Sequence, residues 1–456
     1  MITLKIKIFH RISLLALIVL TLSMLGGCKK DKNCSIIVTE RKIYGSNDIF
    51  NEYKIQQDLK YIKDKLIEVH PDIYSTVSKE KFDSEWNKII ESCTNTNSMT
   101  YDEVYFKILE GMKLINDINT TVFYDAKTEK IPLYFTWKEN GAWITKNVDY
   151  LNVGDEIIKI GNKSMHEILN EIQEIYPSKD EVDAMSFATS QIRNKYLLKK
   201  LGLIDSKGRV SVDVISSNND EKIVKLNFAQ AIDSNVKSKY KNVSYVVNNN
   251  GLAILKLNKC VNDENYRNTL QKFFSDCFKN NVKYIALDLR ENAGGDISVL
   301  NEFLKFTDIK QYRTFDVKYR TSKEAKVEGF KNKLFRSTKV KIKHKAGNLY
   351  SGKLMVLVSS ETRNEGKQIA VIFKKNNIGK VISDCIGIYI DDFGKNIEFI
   401  TPNAGIRFVV STAVLKEPYY NKGNSNVLRP DVYVHYKQRD IMNVKDAIIE
   451  WLNTHH

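Results

Sequence analysis

The stretch from Tyr284 to Gly295 does most to limit what this chain can fold into. It reads Tyr-Ile-Ala-Leu-Asp-Leu-Arg-Glu-Asn-Ala-Gly-Gly. Its first half, Ile285 to Leu289, is apolar with one acid inside, the character of a central strand buried on both faces. The run stops at Arg290, and Gly294-Gly295 follow within a polar turn. Paired glycines let a backbone reverse sharply and leave its N–H groups exposed, which suits an anion or an oxyanion. Val299, Leu300, Phe303, Leu304 and Phe306 then fall on one helical face. Strand, glycine turn and helix serve either as a plain βα connection or as a loop that carries chemistry on a rigid scaffold.

The remainder of the chain divides by pattern. Residues 1–28 read as a targeting segment, with Lys5, Lys7, His10 and Arg11 ahead of an apolar run from Ile12 to Leu25. That run of about 14 residues is too short to span a bilayer comfortably. Leu25-Gly26-Gly27-Cys28 resembles a bacterial lipobox, which implies lipidation of Cys28 and an extracytoplasmic protein held to the bacterial cell membrane by its acyl chains. Residues 29–47 are polar and aperiodic, a tether. Residues 48–125 form a helical cap: Leu59, Ile62, Leu66 and Ile67 repeat at helical spacing up to His70-Pro71, followed by Phe82, Trp86, Ile89 and Ile90, then Val104, Ile108, Met112 and Leu114. Residues 126–170 read as a small β unit, 171–208 as a helical connection, and 209–456 as a core of alternating strands and helices. The expected class is α+β.

Composition narrows the function. The formal net charge is +15, with Lys and Arg recurring between Lys318 and Lys345. Such a run is either a solvated lysine-rich surface or a contact for an anionic envelope surface; outside the membrane, nucleic acid is not the expected partner. After Cys28, the cysteines Cys34, Cys93, Cys260, Cys277 and Cys385 show no Cys-x-x-Cys spacing and no disulfide framework, and Cys260 and Cys277 read as core thiols. With seven histidines and no cluster at ligand spacing, neither a metal nor a cofactor is expected.

Asp288-Leu289-Arg290-x-Asn292-x-Gly294-Gly295 resembles the signature of the tail-specific (C-terminal-processing) serine peptidases, a family that includes the tricorn core and the interphotoreceptor retinoid-binding proteins. Further marks occur in the family's order. Gly154-Asp155-x-Ile-x-x-Ile-x-Gly161 is similar to the closing half of a PDZ-type module. Leu354 to Val358 is a second apolar strand, and Thr362 matches the Thr of a Thr-x-Ser turn. Pro402-Asn403 and Arg429-Pro430-Asp431-Val432 follow, with a last helix from Val444 to Leu452. The resemblance implies a ClpP/crotonase-like α/β core, with Gly294, Gly295 and the N–H of Glu365 as oxyanion donors.

The reacting positions depart from the family's pattern. Asn364 stands where the resemblance implies a nucleophilic serine, Asn119 where it implies a general-base histidine, and Asn424 where it implies an acid. Cys385-Ile-Gly387 occupies the region where another branch carries a lysine. A carboxamide has no basic nitrogen and does not serve as an acyl-transfer nucleophile. The expected function is therefore a non-catalytic family member that binds peptides or protein C-termini in the former substrate cleft. One alternative is an active serine-type endopeptidase with a displaced nucleophile, drawn from Ser359, Ser360 or Cys385 with His70, His166 or His344 as base. Another is a structural or small-ligand-binding envelope protein, which would carry a closed apolar pocket.

Overall fold

In the computed structural model the described residues are 42–94, 97–138, 141–230, 241–324, 338–421 and 426–455. The targeting segment with Cys28, Cys34 and most of the tether, Asn424, and residues 325–337 of the basic run lie outside the described residues. From Ile43 onward the chain forms one unit. The tether therefore ends earlier than its composition suggests: the Tyr44 ring packs edge-on against Phe50, because both are aromatic neighbours of the buried Tyr101.

The organising strand, Tyr284–Asp288, is central in a six-stranded sheet. Across the sheet the order is Val243–Val247, Leu252–Leu257, Tyr284–Asp288, Lys353–Val358, Lys380–Ser383 and Val432–Tyr433, parallel except for the first pair. Side chains alternate faces along each strand. Ile285, Leu287, Val356 and Val358 point into one core with Phe273, Phe303 and Ile369 from the helices Glu264–Lys279, Ser298–Leu304 and Glu365–Lys375. Ala286, Met355, Leu357 and Ile382 point the other way, against Ile448 and Leu452 of the last helix, Ala447–His455. A strand buried on both faces has no polar side to show, which is why this one reads as a continuous apolar run. Together with the cap and the β unit this gives the expected α+β class.

Three helices make the cap: Glu52–Val69, Lys79–Glu91 and Tyr101–Lys113. Asn51, Ser78 and Thr100 cap their first turns, and Glu103 completes a reciprocal box with Thr100. The β unit differs from the expectation in extent. Val210–Ile215 and Glu221–Leu226, assigned by sequence to the core, pair instead with each other, and Val210–Ile215 pairs on its other side with Glu156–Ile160. Their period-two alternation fits any half-buried sheet, and the partner is chosen by tertiary packing. A further four-stranded sheet joins Phe393–Ile400, Arg407–Lys416 and Asp316–Tyr319 to the short strand Thr121–Val122 that leaves the cap. Asp58 of the first helix secures this sheet's hairpin by accepting the N–H groups of Asn403 (2.9 Å) and Ala404 (2.8 Å). Among the described residues no helix is long and apolar enough to cross a membrane.

Gly111 lies against the indole of the fully buried Trp86, and a Cβ there would sit 2.4 Å from a ring carbon. Gly111→Val is expected to destabilise the protein by about 1–3 kcal/mol through overpacking, read as a lower urea midpoint. An unchanged midpoint would mean that the cap does not fold with the rest.

Candidate functional site

The loops that follow the adjacent parallel strands Tyr284–Asp288 and Lys353–Val358 meet at the carboxyl end of the sheet, where open α/β sheets place their ligands. Asn292 ties them together. Its fully buried carboxamide donates to the Leu257 carbonyl (2.8 Å) and accepts the Gly294 N–H (2.8 Å), while its own carbonyl accepts the Arg363 N–H (2.9 Å). Thr362 adds a second tie, donating to the Leu289 carbonyl (2.9 Å) and accepting the Ser359 N–H (3.0 Å). The glycines are dictated by proximity. At Gly295, with φ of 134°, a Cβ would meet the Cys260 carbonyl oxygen at 2.2 Å; at Gly294, with φ of 89°, it would meet the Asn364 Cβ at 2.7 Å.

Asn364 itself has φ 45° and ψ −117°, a strained conformation for a residue with a side chain, and its side chain makes no capping bond to the helix Glu365–Lys375 that it opens. A sharp strand-to-helix turn of this kind pushes its central side chain outward, as a nucleophile elbow does. Asn119 approaches from the end of the cap. Its N–H is held by Asp117 (3.0 Å), and its side-chain amide donates to the Phe393 carbonyl (3.0 Å). Asn119 and Asn364 line the same two cavities, of about 450 Å³ and 270 Å³, so the two predicted positions do converge. Asn424 is outside the described residues.

Of the three expected oxyanion donors, the Gly294 and Gly295 N–H groups are already engaged, and for these two the expectation is corrected. The Gly294 N–H is spent on Asn292, and the Gly295 N–H donates at 2.8 Å to the Glu365 carboxylate. The other oxygen of that carboxylate accepts from the Lys395 ammonium at 3.0 Å. Glu365 opens its helix one residue beyond Asn364, so the contact that brings Gly294 onto Asn364 also brings Gly295 within reach of the carboxylate. The Glu365 N–H belongs to the first helical turn and has no intrahelical acceptor.

The substitute reacting groups lie away from this point. The Ser359 hydroxyl donates to the Arg290 carbonyl (2.7 Å) and accepts the Glu361 N–H (3.0 Å). Ser359, Ser360, Cys385, His70, His166 and His344 are absent from the linings of both cavities. His70 is buried: its Nδ1 accepts the Asp72 N–H (3.3 Å), which puts the proton on Nε2, facing Asp117 (3.2 Å). Burial raises the Asp117 carboxyl, but hydrogen bonds from His70, Ser411 and Thr120 outweigh it and hold the group below the usual aspartate range. Cys260 lies beside the glycine turn, yet burial pushes its thiol up to about 12, which leaves it a poor nucleophile.

Sequence reasoning missed several residues that shape the site. Lys367, one turn after Asn364, is buried beside Asp391 (3.1 Å) and Asp183 (3.8 Å). Burial disfavours its charge, but the two carboxylates prevail and hold the ammonium above the usual lysine range, so it cannot act as a base near neutral pH. Its spacing of three from Asn364 was the available signal. Asp391, Lys395 and Asn396 come from strand and loop residues with no motif to mark them. The walls of the larger cavity are aromatic, with Tyr176 stacked on Phe187 (centroids 3.8 Å apart) and Tyr124 on Tyr196 (3.7 Å). Carboxamides, paired charges and aromatic rings line these spaces; the closed apolar pocket of the small-ligand reading is not what this site offers.

Comparison with known proteins bears on the family and the fold. Residues 251–390, which carry both loops, match the family model of peptidase family S41. The fold is similar to that of mature CPAF, with a TM-score of 0.66, 12% identity, and 88% of this chain and 96% of that one covered. A structure of mature CPAF complexed with lactacystin gives a TM-score of 0.65 at 12% identity, covering 89% and 99%. No curated protein matches the chain significantly.

Two outcomes follow from the site's energetics. Asn364→Gly is expected to stabilise the fold by about 1 kcal/mol, because glycine tolerates this backbone conformation; a loss of stability would show that the turn is unstrained. Asp117 has a depressed folded pKa, so its contribution is complete above the ordinary aspartate range and is lost as pH falls through the folded value. The difference in thermal midpoint between wild type and Asp117→Asn is therefore widest near neutrality and closes below about pH 4. A gap independent of pH would contradict this.

Proposed function

We propose that this chain, whose core belongs to peptidase family S41, is an extracytoplasmic lipoprotein that binds peptides or protein C-termini in the family's substrate cleft without cutting them. The observation that carries the reading is the strained turn at Asn364, which keeps a nucleophile's geometry while presenting a carboxamide. Acyl transfer needs a nucleophile, a base and an empty oxyanion site at one point. Here the first two positions hold Asn364 and Asn119, and the third is filled by Glu365.

What remains suits recognition. Carboxamides donate and accept as peptide backbones do, and the aromatic walls give side chains apolar surface with little entropy to lose. A third space of about 1,040 Å³ shares Tyr124, Asp125, Ser190, Gln191 and Tyr196 with the larger cavity, which in turn shares Asn119, Asn364, Asp391 and Asn396 with the smaller one. A run of linked spaces fits an extended chain better than a compact metabolite. The lipobox at Cys28 supports the location, and the basic run is consistent with an anionic envelope surface nearby.

The test uses the full chain in mild detergent with denatured casein fragments. Fragments are expected to be retained with no new cleavage products by mass spectrometry and no labelling by a fluorophosphonate. Cleavage that persists in Asn364→Ala would overturn the non-catalytic reading and indicate another nucleophile.

A further inference from the structure

We infer that the Gly295 N–H and the Lys395 ammonium form a subsite for the free α-carboxylate of a peptide ligand, and that Glu365 occupies it as an internal stand-in until such a ligand displaces it. The inference rests on the peptide-binding reading above and adds which end of the peptide is recognised and what competes with it.

A carboxylate already sits there. Each oxygen of Glu365 has its own donor, the Gly295 N–H at 2.8 Å and the Lys395 ammonium at 3.0 Å, and both bonds are charge-assisted. An isolated carbonyl offers only one oxygen and no charge, so this pair of donors discriminates for a terminal carboxylate over a chain amide.

The Gly295 donor is fixed by backbone bonds. The Cys260 N–H donates to the Gly294 carbonyl (2.9 Å), and the Asp296 N–H to the Cys260 carbonyl (2.8 Å), so Gly295 is held from both sides. Lys395 has φ 59° in the middle of the strand Phe393–Ile400, at the one point where pairing with Arg407–Lys416 steps from Gly394↔Ala413 to Asn396↔Ser411 and leaves it out. A lysine in a left-handed conformation inside a strand is strained. Asn364 and Lys395 therefore both depart from relaxed backbone geometry, and both line the 270 Å³ cavity that holds this carboxylate. Glu365 and Lys395 meet through flexible side chains, so either can turn while the Gly295 N–H stays in place. A salt bridge serving stability alone needs neither a catalytic-type turn nor a strained partner.

The approach is consistent. Asn119, Asn364, Asp391 and Asn396 line both this cavity and the aromatic one. A peptide whose last side chains lie against Tyr176 and Phe187 would deliver its terminus to Gly295 and Lys395. Self-occupation by Glu365 lowers apparent affinity by the fraction of molecules in which the subsite is open.

The experiment compares a random pool of eight-residue peptides, prepared as free acids and as C-terminal amides, on the full chain in detergent. Retention is read by mass spectrometry, and the best-retained peptide is titrated in both forms by fluorescence anisotropy. The wild type is expected to favour acids. Glu365→Gln should tighten acid binding about 10-fold and leave amide binding unchanged, because removing the competitor opens the subsite. Lys395→Met should weaken acid binding to the amide level. Unchanged amide binding in both variants also reports that the cleft is folded. Equal retention of acids and amides by all three proteins would overturn the subsite while leaving peptide binding intact. An acid preference untouched by Glu365→Gln would overturn the exchange. Retention of neither pool by any of the three would sink the peptide-binding reading and this inference with it.

Discussion

One buried asparagine, through its carboxamide and its main-chain carbonyl, holds the site together. Asn292 joins the end of the strand Leu252–Leu257, the glycine turn and the loop that enters the helix Glu365–Lys375. Each of its bonds satisfies a group that would otherwise be buried unpaired at a cost of about 1–3 kcal/mol. That sum is what can hold Asn364 in an unfavourable conformation, since a strained residue persists only where its surroundings over-determine it. The close approach of Gly294 to Asn364 and the reach of Glu365 to Gly295 both descend from this one connection.

Two lysines of the site are paired internally. Lys367 is matched by Asp391 and Asp183, and Lys395 by Glu365. Beside Asn364, Asp391 and Asp183 favour the charged form of Lys367 over the free base that a proton acceptor would need.

How much was legible in the sequence depended on whether a feature was local. The strand Tyr284–Asp288 could be read because burial on both faces leaves a continuous apolar signature, and Asn119 and Asn364 because motifs anchor them by number. The partner of Val210–Ile215 could not, since alternation specifies a face and not a neighbour. Nor could Lys395, whose importance arises from a left-handed kink in a strand that no turn residue announces. The occupation of the Gly295 N–H is a matter of side-chain conformation: a motif records that a donor exists and is silent on whether another residue has claimed it.

The second face of the central sheet has a consequence for how the protein comes into being. Ala286, Met355, Leu357 and Ile382 are covered by Ile448 and Leu452, from the helix Ala447–His455. Until those residues have emerged during synthesis, a growing chain can assemble most of its strands yet must leave that apolar surface bare. Exposed surface of this kind is where nascent proteins aggregate or recruit chaperones. Folding of the core is therefore incomplete without Ile448 and Leu452, and a chain lacking them would fail through association with its neighbours well before any question of ligand arose.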